Sequence, residues 1–164
     1  MEINERLTFW IMFIKNRMRD MGLDAEEVFL NGNCGNFYQI LKEIFSDKEV
    51  IAHRISHSKE GAMHIISEIK SEDGSKFYDI TGETNIEEYV KLVNRENPHK
   101  HYSIDDFNEH VATDFEVRQQ SDKYMYNEEF EQSEIDNQMN QLMRMVRREL
   151  DKQKSNTQLS KEQK

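Results

Sequence analysis

Residues 31–45 read NGNCGNFYQILKEIF, and they contain Cys34, the only cysteine of the chain. The glycines and asparagines at the start of this stretch form a turn, and the apolar residues behind them recur at helical spacing. The spacing predicts a helix from about Cys34 to Phe45 with the thiol in its first turn. A helix N-terminus carries partial positive charge and unpaired N–H groups, which favour the thiolate, the reactive form of cysteine.

Two apolar strands follow and carry a histidine and an aspartate. His64 opens the first strand, Asp73-Gly74 favours a hairpin turn, and Asp79 closes the return strand. Side-chain alternation puts His64 and Asp79 on the same face in either of two registers. One register pairs them directly and the other holds them four positions apart, so that contact between them favours a longer loop at 72–75 or a bulge.

A cysteine, a histidine and an aspartate in this order have the chemistry of an activated thiol. The sequence predicts Cys34 as nucleophile, His64 as the base that takes its proton, and Asp79 as the group that orients the imidazole. The backbone N–H of Cys34 and a side-chain amide of Asn31 or Asn33 are candidates to stabilise an oxyanion, and Asn33 is alternatively the helix cap. A buried structural cysteine and a retained fold without activity are the alternative interpretations.

The remaining patterns predict an α+β domain of residues 1–97, in which helices pack on a small antiparallel sheet and the Cys34 helix lies against that sheet. An amphipathic helix is expected at 3–21, a short strand at 49–56, and a capped helix from Thr84 whose apolar positions include Tyr89. Helices are therefore expected both before and after the strands in the sequence of this domain.

Ile104, Phe107, Val111 and Phe115 continue the helical spacing of apolar residues. A helical acidic extension is therefore predicted over 98–152, followed by a flexible tail at 153–164. Residues 105–136 contain eleven Asp or Glu against two Lys or Arg, whereas 137–164 contain three against seven. Solvated helix faces explain such charge runs, and a surface for a basic host protein is the functional alternative. The candidate contacts are Glu128, Glu129 and Glu131. The apolar stripe of the last helix, for which no partner is evident, also suggests a homo-oligomer.

The composition limits the class of protein. A net charge of -10 indicates a soluble protein and argues against direct nucleic-acid binding, because phosphate attraction supplies most of that affinity. We expect no secretory signal, no membrane span, no cofactor and no metal. A single cysteine fits a reducing cytoplasm and excludes zinc sites built from several cysteines. His53 and His57 are four residues apart but lack an evident third ligand.

The order of these motifs resembles a known superfamily. Asn-Gly-Asn-Cys before an aromatic-rich helix, a strand that begins with His64, and Tyr-Asp-Ile-Thr-Gly at 78–82 are similar to small phage and bacterial proteins of the papain-like/transglutaminase-like cysteine superfamily. The resemblance covers residues 3–82 and implies the roles given above for Cys34, His64 and Asp79. It implies a peptidase, deamidase or transamidase that acts on a protein or peptide, in the host cytoplasm if the chain is phage-encoded.

The chain departs from this superfamily beside the cysteine, and its acidic C-terminal helices suggest an alternative function. Transglutaminase-type members usually place an aromatic residue beside the cysteine, where this chain has Gly35. The alternative function is a catalytically inactive interaction or inhibitor protein that binds a basic host partner through its acidic C-terminal helices.

Overall fold

The fold is an α+β arrangement of helices on an antiparallel sheet, seen in a computed structural model that describes residues 2–122 and 129–162, with side chains at 2–121 and 136–157. The helices of this described part are α1 Ile3–Asp20, α2 Ala25–Leu30, α3 Cys34–Ile44, α4 Ile86–Glu96, α5 Asp114–Asp122 and α6 Glu129–Glu162. The strands are β1 Val50–His57, β2 Gly61–Ser71, β3 Gly74–Asp79, β4 Gly82–Glu83 and β5 Phe107–Val111, in the order β4-β3-β2-β1-β5. The predicted fold class is confirmed.

Helices cover both faces of the sheet because its central strands carry apolar residues on both sides. On one face, residues of α1, α3 and α6 form the main core with side chains from β1, β2 and β3; among its buried members are Trp10, Ile14, Met18, Phe37, Leu41, Ile69, Tyr78 and Leu142. On the other face, α4 contributes Tyr89 and Val93 to a second cluster with Ile55 and Ile66. Burial of these side chains is the main stabilising contribution to the fold.

The last helix packs on its own chain. Met139, Leu142 and Val146 are buried in the main core, so the expectation that this stripe lacks an intramolecular partner is wrong, and the homo-oligomer stays a prediction. The helix continues to Glu162, beyond the predicted end at Lys152. No glycine or proline interrupts the sequence of α6, which lets the polar continuation stay helical.

Residues 98–122 differ most from the predicted helical extension. A short 3-10 turn at Ile104–Asp106 leads into β5, which pairs with β1 from His57↔Phe107 to His53↔Val111. The helical spacing of the apolar residues is misleading here, because the backbone groups of the β1 edge find partners in this segment. Strand pairing therefore overrides the local pattern.

Two helix starts also differ from expectation. α2 was not predicted, although Asp24 caps it by accepting the Glu27 N–H at 3.2 Å. Asn85, rather than Thr84, caps α4, and its side chain accepts the Glu88 N–H at 2.8 Å. Among the described helices, none combines the length and the apolarity that crossing a bilayer requires.

Candidate active site

The hairpin of β2 and β3 joins His64 and Asp79 by a hydrogen bond. The Nε2–H of His64 donates to Oδ2 of Asp79 at 2.9 Å. The other carboxylate oxygen accepts from the Thr81 N–H at 2.8 Å and from the Thr81 hydroxyl at 2.5 Å. Both oxygens of Asp79 are therefore engaged, and the carboxylate has little freedom to turn away from the imidazole.

The register of this hairpin lies between the two that the sequence allowed. Ser67 pairs with Tyr78, so Asp79 sits on the same face as His64 and diagonally across from it. The shared face is confirmed, whereas direct pairing and the four-position offset are both wrong. The cause is the connection, which consists of residues 72–73 and closes the strands at Ser71↔Gly74.

A β-bulge lies directly before His64. Ile55 pairs with His64 and Ser56 pairs with Ala62, which leaves Met63 as the extra residue in β2. A bulge bends its strand and changes the direction of the adjacent side chains. The bulge at Met63 therefore affects the direction of the His64 side chain.

His64 is fully buried and held on one side by an aromatic ring. Tyr89 of α4 stacks on the imidazole with ring centroids 4.6 Å apart and planes 9° from parallel. Burial disfavours the charged ring, but the hydrogen bond with Asp79 and the proximity of Cys34 outweigh burial and raise the pKa of His64 to about 9. For Asp79, burial opposes ionisation, and the contacts with His64 and Thr81 prevail, so its pKa lies below its ordinary value.

Cys34 begins α3 beside this pair and is 2% exposed. Its thiol donates to Oε1 of Gln120 at 3.6 Å, and its proximity to His64 is one of the causes of the raised imidazole pKa. Within the described part of the chain, Nδ1 of His64 is buried and makes no hydrogen bond. Because Nε2 is bound to Asp79, Nδ1 is the ring nitrogen available to the thiol.

Helix α5 covers the thiol because it crosses α3 at a glycine. A Cβ at position 35 would overlap the carbonyl oxygen of Val117 and the hydroxyl of Ser121. Gly35 thus permits the close approach that brings Gln120, which is 3% exposed, onto Cys34. This crossing is the physical reason that the residue after the cysteine is not aromatic.

The start of α5 is fixed by Glu116. Its backbone N–H donates to the Thr113 hydroxyl at 3.2 Å, and its carboxylate accepts the Thr113 N–H at 3.1 Å, which is a capping box. Arg54 of β1 and His110 of β5 also contact this carboxylate. The Thr113 N–H, followed by His110 and Arg54, lowers the pKa of Glu116 to about 2.

The two asparagines predicted as oxyanion donors have different surroundings. Asn33 is the first residue before α3, but its side chain makes no capping hydrogen bond and its Oδ1 is buried without a partner in the described chain, so the capping prediction is wrong. Asn31 donates through Nδ2 to the Glu27 carbonyl at 2.9 Å and lines a neighbouring cleft. The N–H groups of Cys34 and Gly35 lie in the first turn of α3, where a helix has no internal acceptor.

The two histidines weighed as metal ligands have separate partners. His53 contacts Glu68 at 2.8 Å, and Nδ1 of His57 accepts the N–H groups of Lys59 and Glu60. Across the described residues, no group of three or more potential ligands could hold a metal ion.

The side chains of the predicted partner contacts lie beyond the part of the chain that the structure describes. Glu128 lies outside the described residues, and so do the side chains of Glu129 and Glu131. Their role stays a prediction.

Sequence reasoning missed Tyr89 and Gln120 as members of this site. Tyr89 was recognised only as an apolar position of α4. Gln120 follows a capping box at Thr113 and Glu116 and lies one turn after Val117 on the same helix face, a signal that predicts α5. Nothing in the sequence, however, indicates that α5 crosses α3 next to the thiol.

Comparison with known proteins identifies a family but no reaction. A family model described as "Phage YunG-like protein" matches residues 11–140. No curated protein and no solved structure matches the chain. The match confirms a phage-type protein, while the resemblance to the papain-like/transglutaminase-like superfamily stays a prediction.

Proposed function

The chain belongs to the phage YunG-like protein family, and from its buried site we propose that it is a thiol-dependent acyl-transfer enzyme of the peptidase, deamidase or transamidase type. Cys34 would be the nucleophile, His64 the base and Asp79 the orienting group. One observation carries the proposal: Asp79 holds Nε2 of His64, while Nδ1 is buried and makes no hydrogen bond within the described chain, in a ring that lies close to Cys34. A ring held in this way accepts a thiol proton without having to reorient.

The reactive state is a thiolate–imidazolium pair, in which the proton of the Cys34 thiol resides on Nδ1 of His64. The thiolate attacks the carbonyl carbon of an amide or ester, and a tetrahedral oxyanion forms. The imidazolium then protonates the leaving amine or alcohol, and a thioester on Cys34 remains. Water or an amine attacks the thioester, gives its proton to His64 and releases the acyl product, which restores the thiol.

The electrostatics of the pocket support this sequence of steps. Because the pKa of His64 is raised to about 9, the imidazolium persists at neutral pH and can stabilise a thiolate beside it. The N–H groups at the start of α3 are suitable donors for the oxyanion. Burial and the charges of Cys34 and Asp79 raise the pKa of Tyr89, which therefore stays a neutral ring against His64.

A small activated ester tests the proposal without knowledge of the natural substrate. With p-nitrophenyl acetate, we expect release of p-nitrophenolate and an acetyl group on Cys34, visible by intact-mass and peptide mass spectrometry. Cys34→Ser should abolish the acyl-thiol, and His64→Gln should slow its formation by roughly 100-fold or more. His99→Gln, at an exposed loop histidine, is the matched control and should react like the parent protein.

The decisive result is the position and the His64 dependence of the acetyl group. Acetylation confined to lysines, or a folded His64→Gln protein that acylates Cys34 at the parent rate, would overturn the proposal. Thermal unfolding of each variant establishes that it is folded before its rate is compared.

A second candidate function, binding of a basic partner, is favoured by the surface around β5. Val111 and Phe115 are 60% and 62% exposed, and they lie near the exposed acidic residues Asp105, Asp106 and Glu109. Apolar side chains among acidic ones suit a basic segment with apolar residues. Binding to a lysine-rich peptide that contains leucines should weaken with salt and with charge reversal at Asp105, Asp106 and Glu109, and Cys34→Ala should leave it unchanged. Salt-independent binding would eliminate this candidate.

A further inference from the structure

A cleft of about 340 Å³ adjoins the buried thiol. Leu30, Met63, Leu92 and Val93 supply much of its apolar lining, and it lies between the turn before α3, the bulged start of β2, and α4. A space of this size at the junction of several elements holds one or two side chains of a substrate.

Two residues belong both to the cleft and to the buried site. Gln120 lines the cleft and accepts the Cys34 thiol hydrogen bond, and Tyr89 lines the cleft and stacks on His64. Cys34 and His64 themselves lie behind these two side chains, at 2% and 0% exposure. A substrate that enters the cleft therefore meets Gln120 before it reaches the sulfur.

The cleft also has a charge that selects among substrates. Glu96 lines it near the end of α4, is exposed, and forms no ion pair with any other described residue. A carboxylate beside an apolar surface attracts an ammonium or guanidinium group and repels an anion.

We infer that this cleft is the approach route to Cys34 for a substrate with a positively charged group next to an apolar one, and that Gln120 closes the inner end of the route. A peptide with a lysine or arginine beside an apolar residue has this chemistry. The inference rests on the proposed function only in taking the ligand to be an acyl substrate. The route itself is a property of the thiol's surroundings and is measurable without turnover.

Charged thiol reagents measure the route directly, because Cys34 is the only cysteine. We would compare the cation 2-aminoethyl methanethiosulfonate with the anion 2-sulfonatoethyl methanethiosulfonate. Gln120→Ala should raise the labelling rate with both by about tenfold or more. Gln119→Ala, at the exposed neighbouring position on α5, should not change it.

The second arm tests whether the opened path is the cleft. In the Gln120→Ala background, Glu96→Gln should lower the ratio of cation to anion labelling rates by up to about fivefold. Glu87→Gln changes the net charge equally, lies on the same helix outside the cleft lining, and should leave the ratio unchanged.

Two results would overturn the inference. One is a labelling rate that Gln120→Ala does not raise. The other is a fast rate whose charge preference ignores Glu96, since this would mean that loosening of α5, rather than the cleft, exposes the sulfur. If labelling follows Glu96 while ester acylation ignores His64, the proposed function fails and the route stands.

Discussion

The two ends of the candidate site are built in different ways. At one end, His64 and Asp79 come from neighbouring strands 15 residues apart, and both carboxylate oxygens are bonded. At the other end, Cys34 is held by Gln120, 86 residues later in the chain, through one thiol hydrogen bond of 3.6 Å. The His64–Asp79 pair is therefore fixed by several hydrogen bonds, whereas the burial of the Cys34 thiol depends on the position of one helix, α5.

The largest expected effect comes from breaking the rigid end. Asp79→Asn leaves the buried imidazole without a carboxylate, and we expect a loss of roughly 3 kcal/mol in the free energy of unfolding, as for other broken buried pairs. Asp73→Asn, in the exposed hairpin turn, is the matched control and should unfold like the parent protein. Urea titration at pH 7 measures both. Equal stability of the two variants would show that Asp79 orients the imidazole of His64 without stabilising the folded state.

The same end predicts a pH dependence of stability. Histidine in the unfolded chain has a pKa near 6.5, and contacts with Asp79 and Cys34 raise the pKa of His64 to about 9 in the folded state. The folded state therefore binds the extra proton over this interval. Its stabilising contribution is complete below about pH 6.5 and is lost as the pH rises through about 9.

Urea titrations between pH 6 and pH 9.5 measure this slope. Asp79 of β3, Cys34 of α3 and Tyr89 of α4 face the imidazole, so the titration belongs to the group rather than to His64 alone. Cys34→Ser should reduce the slope, because one of the two contacts that raise the pKa of His64 is lost, and His64→Gln should remove it. A slope that survives in His64→Gln would assign the titration to another group.

The difference between the two ends also explains what the sequence could predict. His64 and Asp79 were found because a hairpin is a local structure and alternation of side chains fixes their shared face. The register of the hairpin could not be predicted. The choice between turns at 72–73 and 73–74 depends on backbone conformations that the dipeptide Asp-Gly does not determine. Cys34 at the start of α3 was found from the turn and the helical spacing behind it.

The residues that the sequence could not predict are those brought in by long-range packing. The role of Gln120 depends on α5 lying across α3, and that contact follows from the path of β5, whose residues have helical spacing but pair with β1. Tyr89 was predicted as an apolar helix position and is buried, yet its stacking on His64 depends on which face of the sheet α4 covers. Tertiary contacts of this kind leave no local pattern in one sequence.

The smallest expected effect tests the thiol end through Gly35. Gly35→Ala adds a methyl group where the Val117 carbonyl and the Ser121 hydroxyl leave no room, and such overpacking costs about 1–2 kcal/mol of stability. Since α5 must move to relieve the overlap, Cys34 should also react faster with iodoacetamide. Thermal unfolding and the rate of alkylation measure the two consequences.

Ser121→Ala provides the internal control for this crossing. Alone, it removes a hydroxyl that donates to the Val117 carbonyl at 2.9 Å, and we expect a small loss of stability and the parent rate of alkylation. Combined with Gly35→Ala, it removes one of the two overlaps. The double variant should therefore regain part of the lost stability, and its alkylation rate should fall part of the way back to the parent rate. Additive effects of the two substitutions would mean that position 35 does not set the distance between α3 and α5. The burial of Cys34 would then depend on Gln120 and on the α5 capping box. The two ends of the site would in that case both be held by specific hydrogen bonds.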